Sequence, residues 1–478
     1  MRQLCEAAVD AAVAAGASYA DARVVMRRAQ LVATKNGQVE EISDLDSEGI
    51  GVRVLVDGAW GFACDRRTTD EGAREAALRA TAFAKAAPGG HRRSLALVDA
   101  RTAEYRTPLE RDPFSVSIAD KVDLCLRAEE GMKHADVTVR SAFVRAHREH
   151  KLFVSSIGSA IEQDIVEAGG GIEAIATSDA LFQVRSYPSA HGGSSSQAGW
   201  EYVEGLDFVA QAPRVGEQAS ALLRAEECPP ATTTVVLDSD QMMLQIHESI
   251  GHPTELDRVY GTEAAYAGTS FLKPDDVDSL RYGSDLMNVT ADSTTPGGLG
   301  TFAFDDEGVR ARREPIVEGG VLRGFLTSRE TAARLGQGEG GSMRADGWSR
   351  MPLVRMTNLH LEPGDGGSLE ELIDGVPDGV YLETNKSWSI DDKRLNFQFG
   401  TQIGWEIKGG RLGRMLRDAT YTGVTPVFWG ELDAVGGAAH WQLKGLTNCG
   451  KGQPGQDGHV SHGSSPARFR NVQIGVKA

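Results

Sequence analysis

Cysteine is scarce and scattered in this 478-residue chain: Cys5, Cys64, Cys125, Cys228 and Cys449 are odd in number and far apart. A chain of this length needs no disulfide staples, so free thiols in a reducing compartment are expected. Long apolar runs are missing too. No stretch approaches the roughly 18 apolar residues of a membrane helix. The opening residues pass into an Ala-rich stretch carrying Glu6 and Asp10, not into the apolar core of a secretory signal. The expectation is a cytoplasmic protein with no membrane partner. Positive charge is also in short supply, with 50 Lys and Arg against 67 Asp and Glu and a formal net charge of −17. The densest basic run, residues 309–313, holds only three Arg. Nucleic-acid backbones are bound by clustered Lys and Arg, so that class of partner is set aside. No phosphate loop or dinucleotide fingerprint occurs, and Gly463-Ser464-Ser465 lacks the setting of a serine elbow.

Hydrophobic residues make up 41% of the chain and charged residues 24%, an ordinary globular balance with room for two or three domains. Residues 4–15 read as an Ala-rich helix and 21–32 as a strand reaching the hairpin signal Asn36-Gly37. Strands at 39–42 and 51–56, a turn at Asp57-Gly58 and a helix over 69–86 follow. Thr69 is placed to cap that helix and residues 87–90 to stop it. A second series has a helix at 113–132, strands at 137–145, 151–156, 160–166 and 172–177 with a glycine turn at 169–171, and a helix at 206–224. The patterns Leu31…Gly37…Glu40…Ile50 and Leu152…Gly158…Glu162…Ile172 hint at two related α+β units. Pro229-Pro230 marks the best boundary. The fold expected is α+β, with an N-terminal α+β region over 1–228 that divides near residue 95 into two related units. A β-rich, mainly antiparallel catalytic domain follows over 229–478. Its expected strands are 232–237, 301–304, 353–361, 379–384, 394–407, 411–421 and 468–476.

The chemistry concentrates after the strand at 232–237. Asp238-Ser239-Asp240 caps a helix that carries His247-Glu248 and then Gly251-His252-Pro253. Zinc hydrolases commonly space two histidines four apart on one helix face. Here the separation is five, about 140° on an ideal helix, which prevents chelation. Gly251 and Pro253 offer a remedy, because the last turn can unwind or bulge and swing His252 back. Glu248, beside a ligand, has the position of a general base. The bland alternative is a buried helix end with two hydrogen-bonded histidines. Glu255, Asp257 and Cys449 are candidates for a third ligand. Cys449, in Asn448-Cys449-Gly450-Lys451-Gly452, is the soft one. His459 and His462 share its glycine-rich tail as candidate substrate or transition-state contacts. Arg344, near the glycine run at 336–341, is a candidate clasp for a peptide backbone or carboxylate. His360 reads as a packed residue, and Trp388 and Phe397 as core or groove aromatics.

Seven stretches in order carry a family resemblance: His247 to Asp257; Gly300-Thr301-Phe302 with Asp305-Asp306-Glu307-Gly308-Val309; Arg355-Met356-Thr357-Asn358; Glu383 to Asp392; Arg394 to Gly400; Asn448 to Gly452; and Ser461 to Phe469. Together they resemble the TldD, catalytic, branch of the TldD/PmbA metallopeptidase family. The PmbA (TldE) branch is similar in layout but lacks the two-histidine segment. Pro253-Thr254 departs from the glycine-containing stretch expected after His252. The resemblance implies zinc held by His247, His252 and Cys449, with Glu248 as base and acid. It implies cleavage of unstructured peptides inside a homodimer, or a heterodimer with a PmbA/TldE-like subunit. Two rival readings stand beside it: an assembly or chaperone-like subunit with a structural metal, and a hydrolase of non-peptide amides.

Overall fold

The computed structural model describes residues 1–87, 93–190 and 192–476. Its first half is built on one large sheet. The chain runs α1 (Arg2–Ala14), β1 (Tyr19–Lys35), β2 (Gln38–Val56), β3 (Ala59–Asp65) and α2 (Asp70–Ala86). Then come β4 (Thr102–Arg106), α3 (Ile118–Gly131), β5 (Val137–Ser155), β6 (Ala160–Thr177), β7 (Phe182–Tyr187), β8 (Ser194–Ser196), α4 (Trp200–Gly205) and α5 (Phe208–Leu222). Strand order is β3-β2-β1-β5-β6, with β4, β7 and β8 spread along the far edge of β6. The succession of helix, three strands and helix occurs twice, as α1 to α2 and as α3, β5 to β7 and α5. The two runs join through β1 and β5, antiparallel from Asp21↔Ser155 to Lys35↔Ser141.

Local chemistry explains the turns. Asn36-Gly37 and Asp57-Gly58 close the two hairpins of β2 with positive φ at all four residues, 51° and 80°, then 50° and 81°, as two-residue hairpin turns require. Thr69 caps α2 by accepting from the Gly72 N–H; Pro88 to Gly90, its expected stop, lie outside the described residues. The strands expected separately at 39–42 and 51–56, and at 137–145 and 151–156, are continuous in β2 and β5. Two further expectations change. Gly169 to Gly171 lie inside β6 and form no turn. A Cβ on Gly169 would sit 2.1 Å from Ser195 Oγ, and one on Gly170 2.4 Å from the Phe143 carbonyl. The missing side chains let neighbouring backbone approach. The helix expected from residue 113 starts at Ile118, because Pro113 opens a short 3-10 turn and Ser117 supplies the cap.

Period-two alternation gives the sheet two unlike faces. Val24, Val52 and Val54 pack under α1 and α2, and Val144 and Ile172 under α3 and α5. The other face carries Arg23, Arg53, Glu149 and Lys151, all buried. Arg23 and Lys151 meet Asp306 of the second half and Arg53 meets Glu307, while Glu149 pairs with Lys151 on the sheet itself.

That second half begins with β9 (Glu226–Glu227) and β10 (Ala231–Leu237). In an eight-stranded sheet, β10 lies between Asp378–Ile390, parallel, and Ala467–Ile474, antiparallel. A six-stranded sheet holds Val289–Asp292, Arg313–Glu318, Val321–Leu322, Asn358–Leu361, Gln442–Lys451 and Gln456–Ser464. Most pairings are antiparallel, and the fold is α+β. Residues 301–304, expected as a strand, are a loop with one bridge from Phe304 to Arg310. Helix α6 (Ser239–Ile246) touches strands of both sheets. Every residue of it is buried, so its polar side chains must find partners inside. Gln241 Nε2 donates to Tyr421 Oη at 2.8 Å, Tyr421 Oη to Gln245 Oε1 at 2.9 Å, and Gln245 Nε2 to Ser249 Oγ at 2.9 Å. Met242, Leu244, Ile246 and Ile250 enter the largest core.

Candidate metal centre

Helix α6 does not continue as an α-helix through the two histidines. His247–Gly251 form one π-turn and His252–Thr254 a 3-10 turn. The His252 N–H bonds to the His247 carbonyl, five residues back. Widening by one residue stacks positions that an α-helix would splay, and the two imidazole centroids come within 4.8 Å. The cause differs from the one expected. Gly251 (φ −57°, ψ −66°) and His252 (φ −60°, ψ −43°) both have right-handed helical angles. Glycine is needed here for space, since a Cβ on Gly251 would lie 2.1 Å from Met356 Sδ. The loosened carbonyls find donors. Tyr282 Oη reaches the Ser249 carbonyl at 2.5 Å, and Thr254 Oγ1 reaches those of Ile250 at 2.8 Å and Gly251 at 3.0 Å.

Cys449 comes from the hairpin of Gln442–Lys451 and Gln456–Ser464, opposite Gly458. Its Sγ is 4.0 Å from His252 Nε2. One ligand atom each from His247, His252 and Cys449 lies within 4.8 Å of the others, and all three residues are buried. The hydrogen bonds fix the tautomers. His462 Nδ1 donates to the Leu359 carbonyl at 3.3 Å, so its Nε2 accepts from His247 Nδ1 at 2.8 Å. That leaves His247 Nε2 as a bare lone pair. His252 Nδ1 donates to Glu255 Oε2 at 3.0 Å, leaving Nε2 on the Cys449 side. Oriented imidazoles of this kind are what metal sites use. Burial lowers the pKa of both histidines and keeps them neutral. Burial alone would raise Cys449, but the Arg355 guanidinium and His252 bring it below the ordinary thiol value. Two imidazole nitrogens and a thiolate-prone sulfur suit a borderline-soft divalent ion.

Glu255 and Asp257, weighed as ligands, have other partners. Lys451 lies 3.2 Å from Glu255 and 2.9 Å from Asp257, and Arg258 lies 2.5 Å from Glu263, all of them buried. Burial would raise Glu255, yet Lys451 and His252 hold it well below the usual carboxylate range. Glu248 Oε2 accepts from Arg394 Nη1 at 2.9 Å. Arg394 sits between the strands Asp378–Ile390 and Asn396–Lys408, at φ 61°. Sequence reasoning gave Arg394, Arg355 and Lys451 no role, although each lies in a stretch that carries the resemblance. For Arg355, between Val354 and Met356, and for Lys451, between two glycines, a charge inside an apolar or glycine-rich run was the available signal. Arg394 follows the charged run Asp391-Asp392-Lys393 and offered none.

The remaining candidates separate. Along Gln456–Ser464, His462 shares the face of Gly458, the partner of Cys449, whereas His459 is on the opposite face. There its Nδ1 lies 2.6 Å from Glu167 Oε2. Arg344 donates to the carbonyls of Leu299 at 3.3 Å and Met356 at 2.7 Å. It lines a polar cavity with Arg355 and His459. His360 is buried against Trp441, with Nε2 2.8 Å from Thr295 Oγ1. Phe397 stacks in the core on Phe399, and Trp388 is 45% exposed.

Comparison with known proteins fits this geometry. Models of the PmbA/TldA metallopeptidases match residues 20–84 as domain 1, 111–225 as the central domain and 230–476 as the C-terminal domain. A metalloprotease of Methanocaldococcus jannaschii is 28% identical over 87% of this chain and 89% of its own. One of Archaeoglobus fulgidus is 31% identical over 82% and 85%. A zinc metalloprotease TldD homolog of Saccharolobus solfataricus is 26% identical over 50% and 51%. Crystalline TldE of Thermococcus kodakarensis superposes with a TM-score of 0.75 at 15% identity, covering 98% of this chain and 99% of that one. With the C-terminal match alone spanning more than half its length, this chain belongs to the PmbA/TldA metallopeptidase family.

Proposed function

We propose that the chain is a zinc-dependent peptidase in which His247, His252 and Cys449 hold one metal ion per subunit and Glu248 is the general base. The observation that carries this reading is the π-turn that brings two histidines five residues apart beside Cys449. The donor set favours zinc, the metal in the printed name of the Saccharolobus relative. When bound, zinc supplies a Lewis acid that polarises a carbonyl and acidifies water. The chain's own residues do the rest. Glu248 accepts a proton from the attacking water and returns it to the leaving amine. Arg394 holds Glu248 Oε2, which assigns the travelling proton to Oε1. Glu255 and His462 keep the two imidazoles oriented.

Burial supports unstructured peptides as the substrate class. His247, Glu248, His252 and Cys449 are each no more than 6% exposed. An extended peptide can thread to such a site, whereas the surface of a folded protein cannot. The working unit is a dimer, with itself or with a TldE-like subunit, and its free cysteines suit the cytoplasm.

The test is cleavage of an unstructured peptide library by wild type and Glu248→Ala, each assayed for bound metal. The expected result is cleavage by wild type, a loss of about 10²–10⁴-fold in the variant and unchanged zinc in both. A variant that cuts as well as wild type removes Glu248 from the mechanism. Zinc bound with no cleavage of any peptide, alone or with a TldE-like subunit, favours a structural metal in an assembly subunit.

A further inference from the structure

We propose a second divalent-cation site, formed by His147, Glu167 and His459 where the N-terminal sheet meets the hairpin that carries Cys449. The three residues come from β5, β6 and the strand Gln456–Ser464. His147 and Glu167 are direct cross-strand partners, so their side chains leave the sheet together on one face. His459 closes on them from the second half. One donor atom from each lies within 4.8 Å of the others. Glu167 Oε2 is 2.6 Å from His459 Nδ1 and 3.8 Å from His147 Nδ1, and the two rings meet edge to face at 5.1 Å.

One feature of the cluster lacks a partner. His147 Nδ1 is buried with no hydrogen-bond partner among the described residues. A buried polar atom left so is destabilising. A cation seated between the rings would satisfy this nitrogen and the shared carboxylate oxygen together. Burial lowers His147 to about 4, so at neutral pH the ring is in its coordinating form. Among the described residues no Arg or Lys forms an ion pair with Glu167, and Arg145, which feels its charge, donates instead to Thr447 Oγ1 and the Gly192 carbonyl. Arg27 is held by Glu149 at 2.6 Å and Asp346 at 2.5 Å, and Arg344 donates to two backbone carbonyls. The polar cavity these groups line leaves space for water to complete the coordination.

Two imidazoles and a carboxylate form an open nitrogen and oxygen set that takes zinc and similar divalent ions. The site is separate from the Cys449 cluster, because His459 and His462 leave the same strand on opposite faces. Occupancy would brace the Cys449 hairpin against β5 and β6.

Cobalt(II) titration of the metal-free protein tests this independently of peptidase activity. Thiolate-to-cobalt charge transfer marks the Cys449 site, whereas a nitrogen and oxygen site adds only weak d–d absorption. Wild type is expected to take up two equivalents. His147→Ala and His459→Gln are each expected to lose one equivalent and keep the charge-transfer band, which also reports that the variant is folded. Cys449→Ser is expected to lose the band and keep one equivalent. Uptake of a single equivalent by wild type, or retention of two by both histidine variants, overturns the proposal and leaves a hydrogen-bonded histidine–carboxylate pair.

Discussion

Gly251 is set by the space around it. Its backbone angles are open to any residue, but Met356 Sδ occupies the place of a Cβ, 2.1 Å from it. Gly251→Ala must therefore move Met356 or the π-turn, at a cost of about 1–3 kcal/mol for overpacking. Bound zinc should fall with stability, because the same displacement separates His247 from His252. Met356→Ala in the same chain should restore part of both, measured by urea unfolding and metal content. His360 makes a second prediction at this scale. Burial lowers it from 6.5 to about 4. Between those values the unfolded chain binds a proton that the folded chain refuses, so stability falls as pH drops from about 6.5 toward 4. The full loss is roughly 3 kcal/mol at 1.36 kcal/mol per unit. His360→Gln should remove that share of the slope when metal-free proteins are unfolded in urea at pH 4.5 and 7. Equal slopes would show that His360 titrates alike in both states.

The π-turn survives because its neighbours donate to the carbonyls it leaves open, that of Ser249 among them, which Pro253 could not serve even in an α-helix. Tyr282 Oη, fully buried, ends on the Ser249 carbonyl, and Trp429 Nε1 donates to Ser249 Oγ at 2.9 Å. Tyr282→Phe keeps the ring and removes one donor. It should cost about 1–3 kcal/mol for the unsatisfied buried carbonyl and weaken zinc binding while leaving overall secondary structure intact. Thermal unfolding and a competitive zinc chelator check the two effects. Unchanged zinc affinity would mean that Ser249 is held without this bond. The sequence carried the problem of this element openly: two histidines five apart on a capped helix cannot chelate unless the helix widens. It did not carry the solution, because Met356, Tyr282 and Trp429 are distant in the chain and arrive through sheet topology. The same division runs through the site. Asn36-Gly37, Asp57-Gly58 and the Asp238 cap were legible because turns and caps are local chemistry. Gly169 to Gly171 were misread because a glycine that admits a neighbouring strand looks, in sequence, like one that bends its own.

Across the whole molecule, the two halves meet through charge. Arg53 is held by Asp21 on the sheet at 2.6 Å and by Glu307 of the second half at 2.9 Å. Arg23 and Lys151 both reach Asp306, at 3.3 and 2.6 Å. The Asp305-Asp306-Glu307 stretch is one of those that carry the family resemblance, with no role of its own legible in the sequence. Asp306 and Glu307 are buried carboxylates docked on Arg23, Arg53 and Lys151 of the N-terminal sheet, a pairing legible only with the other surface in view. Burial, with Glu307 beside it, raises Asp305 to about 7. Ions taken out of water repay their desolvation only while paired. Arg53→Met strands Asp21 and Glu307 together and should cost about 3–5 kcal/mol. Glu307→Gln can keep its amide oxygen on the Arg329 N–H, 2.6 Å away, but then turns an NH2 toward Arg53 Nη1 where Oε1 accepted, losing both the charge and that acceptor at about 1.5–3 kcal/mol. The double variant should be less destabilised than the sum, with a coupling of about 0.5–3 kcal/mol in urea unfolding. A coupling near zero would place the cohesion of the halves in shape and apolar contact, and Arg53 would then be satisfied by Asp21 alone.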